Sequence, residues 1–185
     1  FDRRYIAEQN YWVRLPQEDF CQALGKPRSA KYEIDNGPGM LEIARVLQVS
    51  ETPERDVALF LRAQILFWML AASDGHAKNF SIYLHAGGSF QLTPIYDVLS
   101  AWPIVGNATN TLDYQKLRMA MAWQGDANRH YRMRDVQRRH LAETARRCGY
   151  GEQIETALQE LVQHVPLAIA EAGRQLPAGF PMDVF

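Results

Sequence analysis

Two short polar segments hold the residues whose types and spacing suit chemistry: Ser73-Asp74-Gly75-His76-Ala77-Lys78-Asn79, and Pro94-Ile95-Tyr96-Asp97. Asp74, Asn79 and Asp97 offer hard oxygen atoms, and the chemistry such a set serves is phosphoryl transfer. That reaction asks little covalent help of a protein. It needs a carboxylate to accept and orient the substrate hydroxyl, and oxygen ligands for Mg2+ on the phosphates. Mg2+ prefers oxygen and takes few protein groups, so Asn79 and Asp97 suffice as metal ligands, with Asp74 as the base. Each residue also has a plain structural reading: Asp74 as a turn cap after a helix, Asn79 as a turn residue, and Asp97 as a cap for Val98-Leu99-Ser100. His76 either bonds the loop backbone or approaches the transferred phosphate. Lys78 either neutralises phosphates or pairs with an acid.

The elements around these segments place them together. Val57 to Ala72 is apolar almost all round, broken by Arg62 and Gln64, which predicts a helix buried at the centre of its domain. Thr52-Pro53-Glu54 starts it. Ser73 to Asn79 leaves it as a loop. Phe80 to Leu84 and Phe90 to Leu92 read as strands joined by a hairpin over His85 to Ser89, so the chain returns and Asp97 faces the same metal as Asn79. The Asp74-to-Asn79 offset equals that of the protein-kinase catalytic loop. Alone it is a weak signal; followed by a hairpin and a second Asp it is more specific.

Elsewhere, Phe1 to Leu15 reads as a strand or hairpin. Pro16-Gln17-Glu18-Asp19 opens a short helix carrying Phe20 and Cys21, capped by Gly25. Lys26 to Gly39 is a loop and Met40 to Val49 a helix. Beyond Asp113 the chain is expected to be mainly helical. One helix spans Val136 to Arg147, ended by Gly149. A second is marked by Ile154, Leu158, Leu161, Val165 and Ile169, with Pro166 kinking or dividing it.

The chain has 185 residues, 47% hydrophobic and 22% charged, with net charge -1, as in an ordinary globular domain. Overall charge does not mark a nucleic-acid binder. Cys21 and Cys148 are too few for a disulfide framework and neither has a base nearby, so reduced thiols in a cytoplasmic protein are expected. The longest apolar run, Ile65 to Ala72, is too short to cross a membrane. Phe1-Asp2-Arg3-Arg4 is neither a start methionine nor a signal peptide and reads as an internal cut in a longer protein.

Ser73 to Ser81 resembles the catalytic loop of the bacterial HipA toxin-kinase family. The likeness continues through Ala86-Gly87-Gly88-Ser89, Leu92 to Ala101 and Pro103. Upstream it includes Arg14-Leu15-Pro16-Gln17-Glu18-Asp19, Lys31-Tyr32-Glu33 and Gly37-Pro38-Gly39. Phe1-Asp2-Arg3 resembles the point where the hinge leaves the small lobe. The resemblance covers nearly the whole chain, most strongly residues 1 to 125.

The resemblance implies the C-terminal, large lobe of a two-lobed kinase, mainly α with a small β-hairpin at the site, spanning residues 1 to 185. It implies ATP and Mg2+ as cofactors, Asp74 as catalytic base, His76 and Lys78 beside it, and Asn79 and Asp97 as metal ligands. Phe1 and Asp2 would lie where the hinge meets adenine and ribose. It further implies a bacterial, cytoplasmic serine/threonine kinase toxin of a toxin–antitoxin pair, associated with growth arrest and persistence. The partner would be a HipB-like antitoxin. The substrate would be a translation protein such as an aminoacyl-tRNA synthetase. No glycine-rich phosphate loop and no nucleotide-pairing strand lysine precede Asp74. The ATP-covering small lobe is thus expected to be absent, and the fragment inactive alone. Alternatives are a catalytically silent kinase-fold module holding an antitoxin and operator DNA, or a small-molecule kinase. Seven arginines between Arg129 and Arg147 are either a solvated face or a contact to DNA phosphates in the toxin–antitoxin complex.

Overall fold

A computed structural model describes residues 2–181, so Phe1, read above with Asp2 as part of the hinge, lies outside the described residues. The chain opens with an antiparallel ribbon, β1 (Arg3–Ile6) and β2 (Tyr11–Arg14), whose register sets Tyr5 opposite Trp12.

The segment Pro16 to Asp19 is not the start of a helix. β3 (Gln17–Asp19) is a strand, and helix α1 (Phe20–Ala23) begins only after it. The backbone of β3 pairs with β4 (Ser81–Leu84), which in turn pairs with β5 (Phe90–Leu92), both antiparallel. The expected β4–β5 hairpin is present, and a third strand extends it. Asp19 is where the two states meet: it ends the strand, and its carboxylate accepts the Gln22 N–H at 3.0 Å while Gln22 reaches back to the Asp19 N–H at 3.1 Å. That reciprocal cap satisfies two of the amide donors a helix start leaves open.

Helix α2 (Met40–Leu47) and the long helix α3 (Pro53–Met69) follow. Pro53 occupies the first turn of α3, where its missing N–H costs nothing. Val57, Phe60, Leu61, Ala63, Ile65 and Phe67 are buried, so α3 is the core helix its all-round apolar pattern predicts. Phe80, the residue entering β4, is gripped edge-on between Phe60 and Phe67 at 4.9 and 5.6 Å. Asp56 on α3 is fully buried. It accepts the Leu92 N–H at 3.0 Å and the Thr52 hydroxyl at 3.2 Å, and so fastens the helix to β5.

The region beyond Asp113 corrects the helical expectation. It contains a second antiparallel pair, β6 (Arg118–Gln124) and β7 (Arg129–Arg132), before α4 (Arg138–Arg147) and α5 (Ile154–Gln175). Met119 through Gln124 are all buried, so β6 has no polar alternation to announce it, and its Met and Ala favour helix. Packing against α2 and α4 overrides that preference. α4 begins at Arg138 rather than Val136 and ends, as expected, at Gly149, whose φ of 74° is left-handed. α5 is not divided at Pro166. The Val162 carbonyl that the proline leaves without an N–H belongs to a residue that is 73% exposed, on the solvent side of the helix. Of the α5 stripe only Ile154 is fully buried; Leu158, Leu161 and Val165 are half-buried and Ile169 is exposed.

His130 on β7 stacks flat on buried His140 of α4, ring centres 3.7 Å apart. His140 Nδ1 accepts the Gln137 N–H at 3.2 Å, and the Arg139 Nε–H points at His140 Nε2 at 3.3 Å.

This packing is testable at two points. Asp56→Ala strands the buried Leu92 N–H and is expected to cost about 1–3 kcal/mol in urea denaturation; a loss within experimental error would remove Asp56 from the scaffold. Burial, with His130 and Arg139 nearby, pushes the His140 pKa below its ordinary 6.5, and burial does the same to His76. The unfolded chain therefore binds protons that the folded one refuses. Stability is complete above about pH 6.5 and falls as the pH drops below it. His140→Gln should flatten part of that slope, His76 carrying the rest. An unchanged slope would show that His140 does not contribute.

Candidate active site

The site begins where α3 ends. Ala71, fully buried with φ 52°, turns the chain out of the helix, and the Ala72 N–H donates back to the Phe67 carbonyl at 2.8 Å. Gly75 then lies against the Phe67 ring so closely that a Cβ would fall 2.5 Å from a ring carbon. The next residues form one tight turn, Ala77–Asn79.

Asn79 is buried and both ends of its carboxamide are used. Its oxygen accepts the His76 N–H at 3.0 Å, and its Nδ2 donates to Asp97 Oδ2 at 2.6 Å. The loop after α3 and the loop after β5 are thereby joined. Asp97 has φ 57°, left-handed backbone that Asp tolerates better than most residues. Tyr96 adds a second tie by donating to the Lys78 carbonyl at 2.8 Å, with its hydroxyl 2.6 Å from Ser81 Oγ.

Asp74 is open to solvent, its side chain 65% exposed. Its Oδ1 accepts a hydrogen bond from the Tyr32 hydroxyl and lies 4.0 Å from Lys31 Nζ; its Oδ2 is 3.7 Å from His76 Nε2. His76 is buried, and burial pushes its pKa down, so the ring is neutral near pH 7. It stands edge-on to the Tyr32 ring at 5.2 Å. Its Nδ1 is buried and meets no hydrogen-bond partner among the described residues. Lys78 pairs with Asp19 at 2.5 Å, the second of its readings. The cations that line the cleft beside Asp74 without such a close carboxylate are Arg28 and Lys31.

Three clefts run along the site and share walls. One of about 270 Å³ holds Asp2 with Tyr83, Thr93 and Tyr96. The next, about 460 Å³, shares Gln17 and Tyr96 with it and adds Arg14 and Lys78. The third, about 720 Å³, shares Lys78 and holds Asp74, Asn79 and Asp97. Asp2 itself pairs with Arg14 at 3.4 Å.

Asn79 and Asp97 fit a hard cation in kind: a carboxylate and a carboxamide oxygen whose second lone pair is left after the His76 N–H is served. No cluster of three or more His, Cys, Asp or Glu suited to a metal occurs among the described residues, so such an ion would draw its remaining ligands from water or phosphate. Both thiols are buried, and burial pushes that of Cys148 up to about 12, out of range for a nucleophile.

The arginine run is largely neutralised. Arg129 pairs with Glu33, Arg134 with Asp135, Arg138 with Glu155, and Arg146 and Arg147 with Glu143. Arg132 and Arg139 have no carboxylate partner among the described residues. Tyr32, Lys31 and Glu33 were seen in the sequence only as a segment of family likeness. Nothing in local spacing signals that Tyr32 meets a carboxylate 42 residues away.

The HipA-like C-terminal domain family matches residues 1–169. Y4mE of Sinorhizobium fredii, named as a kinase, is 42% identical over 98 residues, 52% of this chain and 23% of the relative. The serine/threonine-protein kinase toxin HipA of Shewanella oneidensis is 31% identical over 113 residues, 54% of this chain and 25% of the relative. The chain thus spans about a quarter of the length of these curated relatives. A solved Shewanella oneidensis structure, a complex of HipA, HipB and operator DNA, superposes with a TM-score of 0.81 at 23% identity, covering 100% of this chain and 43% of that one; it shares the fold.

The contact of Gly75 with Phe67 generates a further prediction. Gly75→Ala is expected to destabilise by about 1–3 kcal/mol through overpacking, and Phe67→Leu in the same chain to recover part of the loss. Full stability of Gly75→Ala in a melting experiment would show that the two residues do not approach so closely.

Proposed function

The chain belongs to the HipA-like C-terminal domain family, and from that premise we propose that it carries the catalytic half of a serine/threonine protein kinase. The observation that supports this most directly is the order of groups along the three joined clefts. Asp2 lies at one end, Lys78 in the middle, and Asn79, Asp97 and Asp74 at the other. That order suits ATP lying with adenine and ribose near Asp2, its phosphates over Lys78, Asn79 and Asp97, and the acceptor hydroxyl at Asp74.

In this reading Asp74 Oδ2 accepts the proton of a Ser or Thr hydroxyl and orients its oxygen in line with the γ-phosphorus. The new oxygen–phosphorus bond forms as the bond to the β-phosphate bridging oxygen breaks, and ADP leaves. Asn79 and Asp97 would hold Mg2+, which when bound supplies electrostatic neutralisation of the phosphates. Asp74, Asn79 and Asp97 act mainly by position, since misplacement by about 1 Å can cost ~10²-fold.

Most of these relatives' length lies outside the matched segments. The fragment alone is accordingly proposed to be inactive, with the ATP-covering lobe supplied by a longer protein. The proposal extends to a toxin acting on a translation protein such as an aminoacyl-tRNA synthetase, partnered by a HipB-like antitoxin. With the rest of the arginine run paired, direct DNA contact would fall to Arg132 and Arg139. No helix among the described residues is long and apolar enough to cross a membrane.

The test follows labelled γ-phosphate from ATP, with Mg2+, into lysate protein, using a longer two-lobed protein in which this chain forms the large lobe. Asp74→Asn is expected to lower transfer by about 10²–10⁴-fold. Label in a metabolite would indicate a small-molecule kinase. No transfer by a folded, ATP-binding protein would leave a binding module in its place.

A further inference from the structure

The kinase reading assigns the base but leaves open what holds it. Asp74 is exposed, and a solvated carboxylate on a loop has several rotamers to choose from. The nearest groups on its own loop do not choose one: His76 is neutral and lies 3.7 Å away. The hydrogen bond that does comes from the Tyr32 hydroxyl to Oδ1. It leaves Oδ2 as the oxygen free to take a proton.

Tyr32 is itself held from several sides. Its ring meets the His76 edge at 5.2 Å, and the Lys31 ammonium sits 4.8 Å from its centre. Its carbonyl accepts the Gly37 N–H at 2.9 Å and the Asp35 N–H at 3.0 Å. A Cβ at Gly37 would lie 2.6 Å from that same oxygen, so the turn closes only with glycine there. The next residue, Glu33, is buried, its side chain 7% exposed. It accepts the Ala122 N–H of β6 at 2.6 Å and pairs with Arg129 of β7 at 3.2 Å. The Ala77 N–H donates to the Lys31 carbonyl at 3.3 Å, which ties this loop to the one bearing Asp74.

We infer that Tyr32 is the positioning residue of the catalytic base. Its hydroxyl holds Asp74 Oδ1 from a loop anchored on the β6–β7 pair and so presents Oδ2 to the acceptor hydroxyl. The inference rests on the kinase reading above and adds to it a residue outside the catalytic loop.

The experiment compares wild type, Tyr32→Phe, Asp74→Asn and the double variant of the longer two-lobed protein in steady-state phosphoryl transfer. Tyr32→Phe keeps the ring against His76 and removes only the hydroxyl. It is expected to lower kcat by about 10- to 100-fold with KM for ATP and the melting temperature unchanged. In the Asp74→Asn background the same change should add no further loss, because the group it positions is gone. A second readout needs no turnover. The Tyr32 phenol is pushed above its ordinary 10.0 chiefly by its bond to Asp74, so Asp74→Asn should let it ionise at lower pH, followed by NMR of labelled tyrosine. An active wild type with unchanged kcat in Tyr32→Phe overturns the inference and leaves the kinase reading standing, as does an additive loss in the double variant or an unmoved Tyr32 titration. A wild type that transfers nothing overturns both.

Discussion

The structure depends on one buried carboxamide. Asn79 sits at the start of the β4–β5 hairpin and Asp97 a few residues past its end, so the two loops they belong to are neighbours only if something closes the mouth of the hairpin. A buried amide with either end unserved would cost about 1–3 kcal/mol, and that cost enforces closure. Served on one side by the His76 N–H and on the other by Asp97, Asn79 sets both the turn after α3 and the left-handed backbone of Asp97. The hydrophobic grip of Phe60 and Phe67 on Phe80 holds the residue next to it, so the polar clamp stands on packed aromatic ground. That is why a site of three short polar side chains can be rigid without a disulfide or a resident cluster of ligands.

Charge is distributed around that clamp in an order that spacing alone does not reveal. Lys78 is engaged by Asp19, and Asp19 also caps α1. One carboxylate therefore fixes a strand end, a helix start and a lysine, and Lys78 faces the cleft as half of a pair. Positive charge beside Asp74 comes instead from Lys31, whose Nζ lies 4.0 Å from Asp74 Oδ1, and from Arg28, both on the loop before α2. With His76 kept neutral by burial, Asp74 stands between a neutral ring and a cationic wall. That setting favours anionic groups entering the cleft.

How much of this was legible in the sequence follows from how local each signal is. The core helix α3 was readable because apolarity on every face, sustained from Val57 to Ala72, runs too long for a strand and suits a buried helix. The β4–β5 hairpin was readable from its Gly-rich turn between two short apolar runs. That Asp74, Asn79 and Asp97 line one cleft was readable because the hairpin between Asn79 and Asp97 returns the chain. Pro16 to Asp19 was misread because Pro followed by acids is a helix-start signal, and the pairing partner that makes it a strand lies more than sixty residues on. β6 was misread for a related reason: a strand covered on both faces loses the alternation that identifies strands, and Met-Ala-Met-Ala then argues for helix.

The two misreadings and the missed contact are connected. Tyr32 reaches Asp74 because Glu33 is pinned to the Ala122 N–H, and that N–H points at Glu33 because residues 118–124 are a strand rather than a helix. In a helix the same N–H would be spent on a carbonyl four residues earlier, and Glu33 would be a buried carboxylate with only Arg129 beside it. Burial already pushes the Glu33 carboxyl above its ordinary range, and the Ala122 N–H is the foremost influence opposing this. The part of the site invisible to sequence is thus the part that rests on the element invisible to sequence, and both come into view together once the fold brings residue 33 to residue 122.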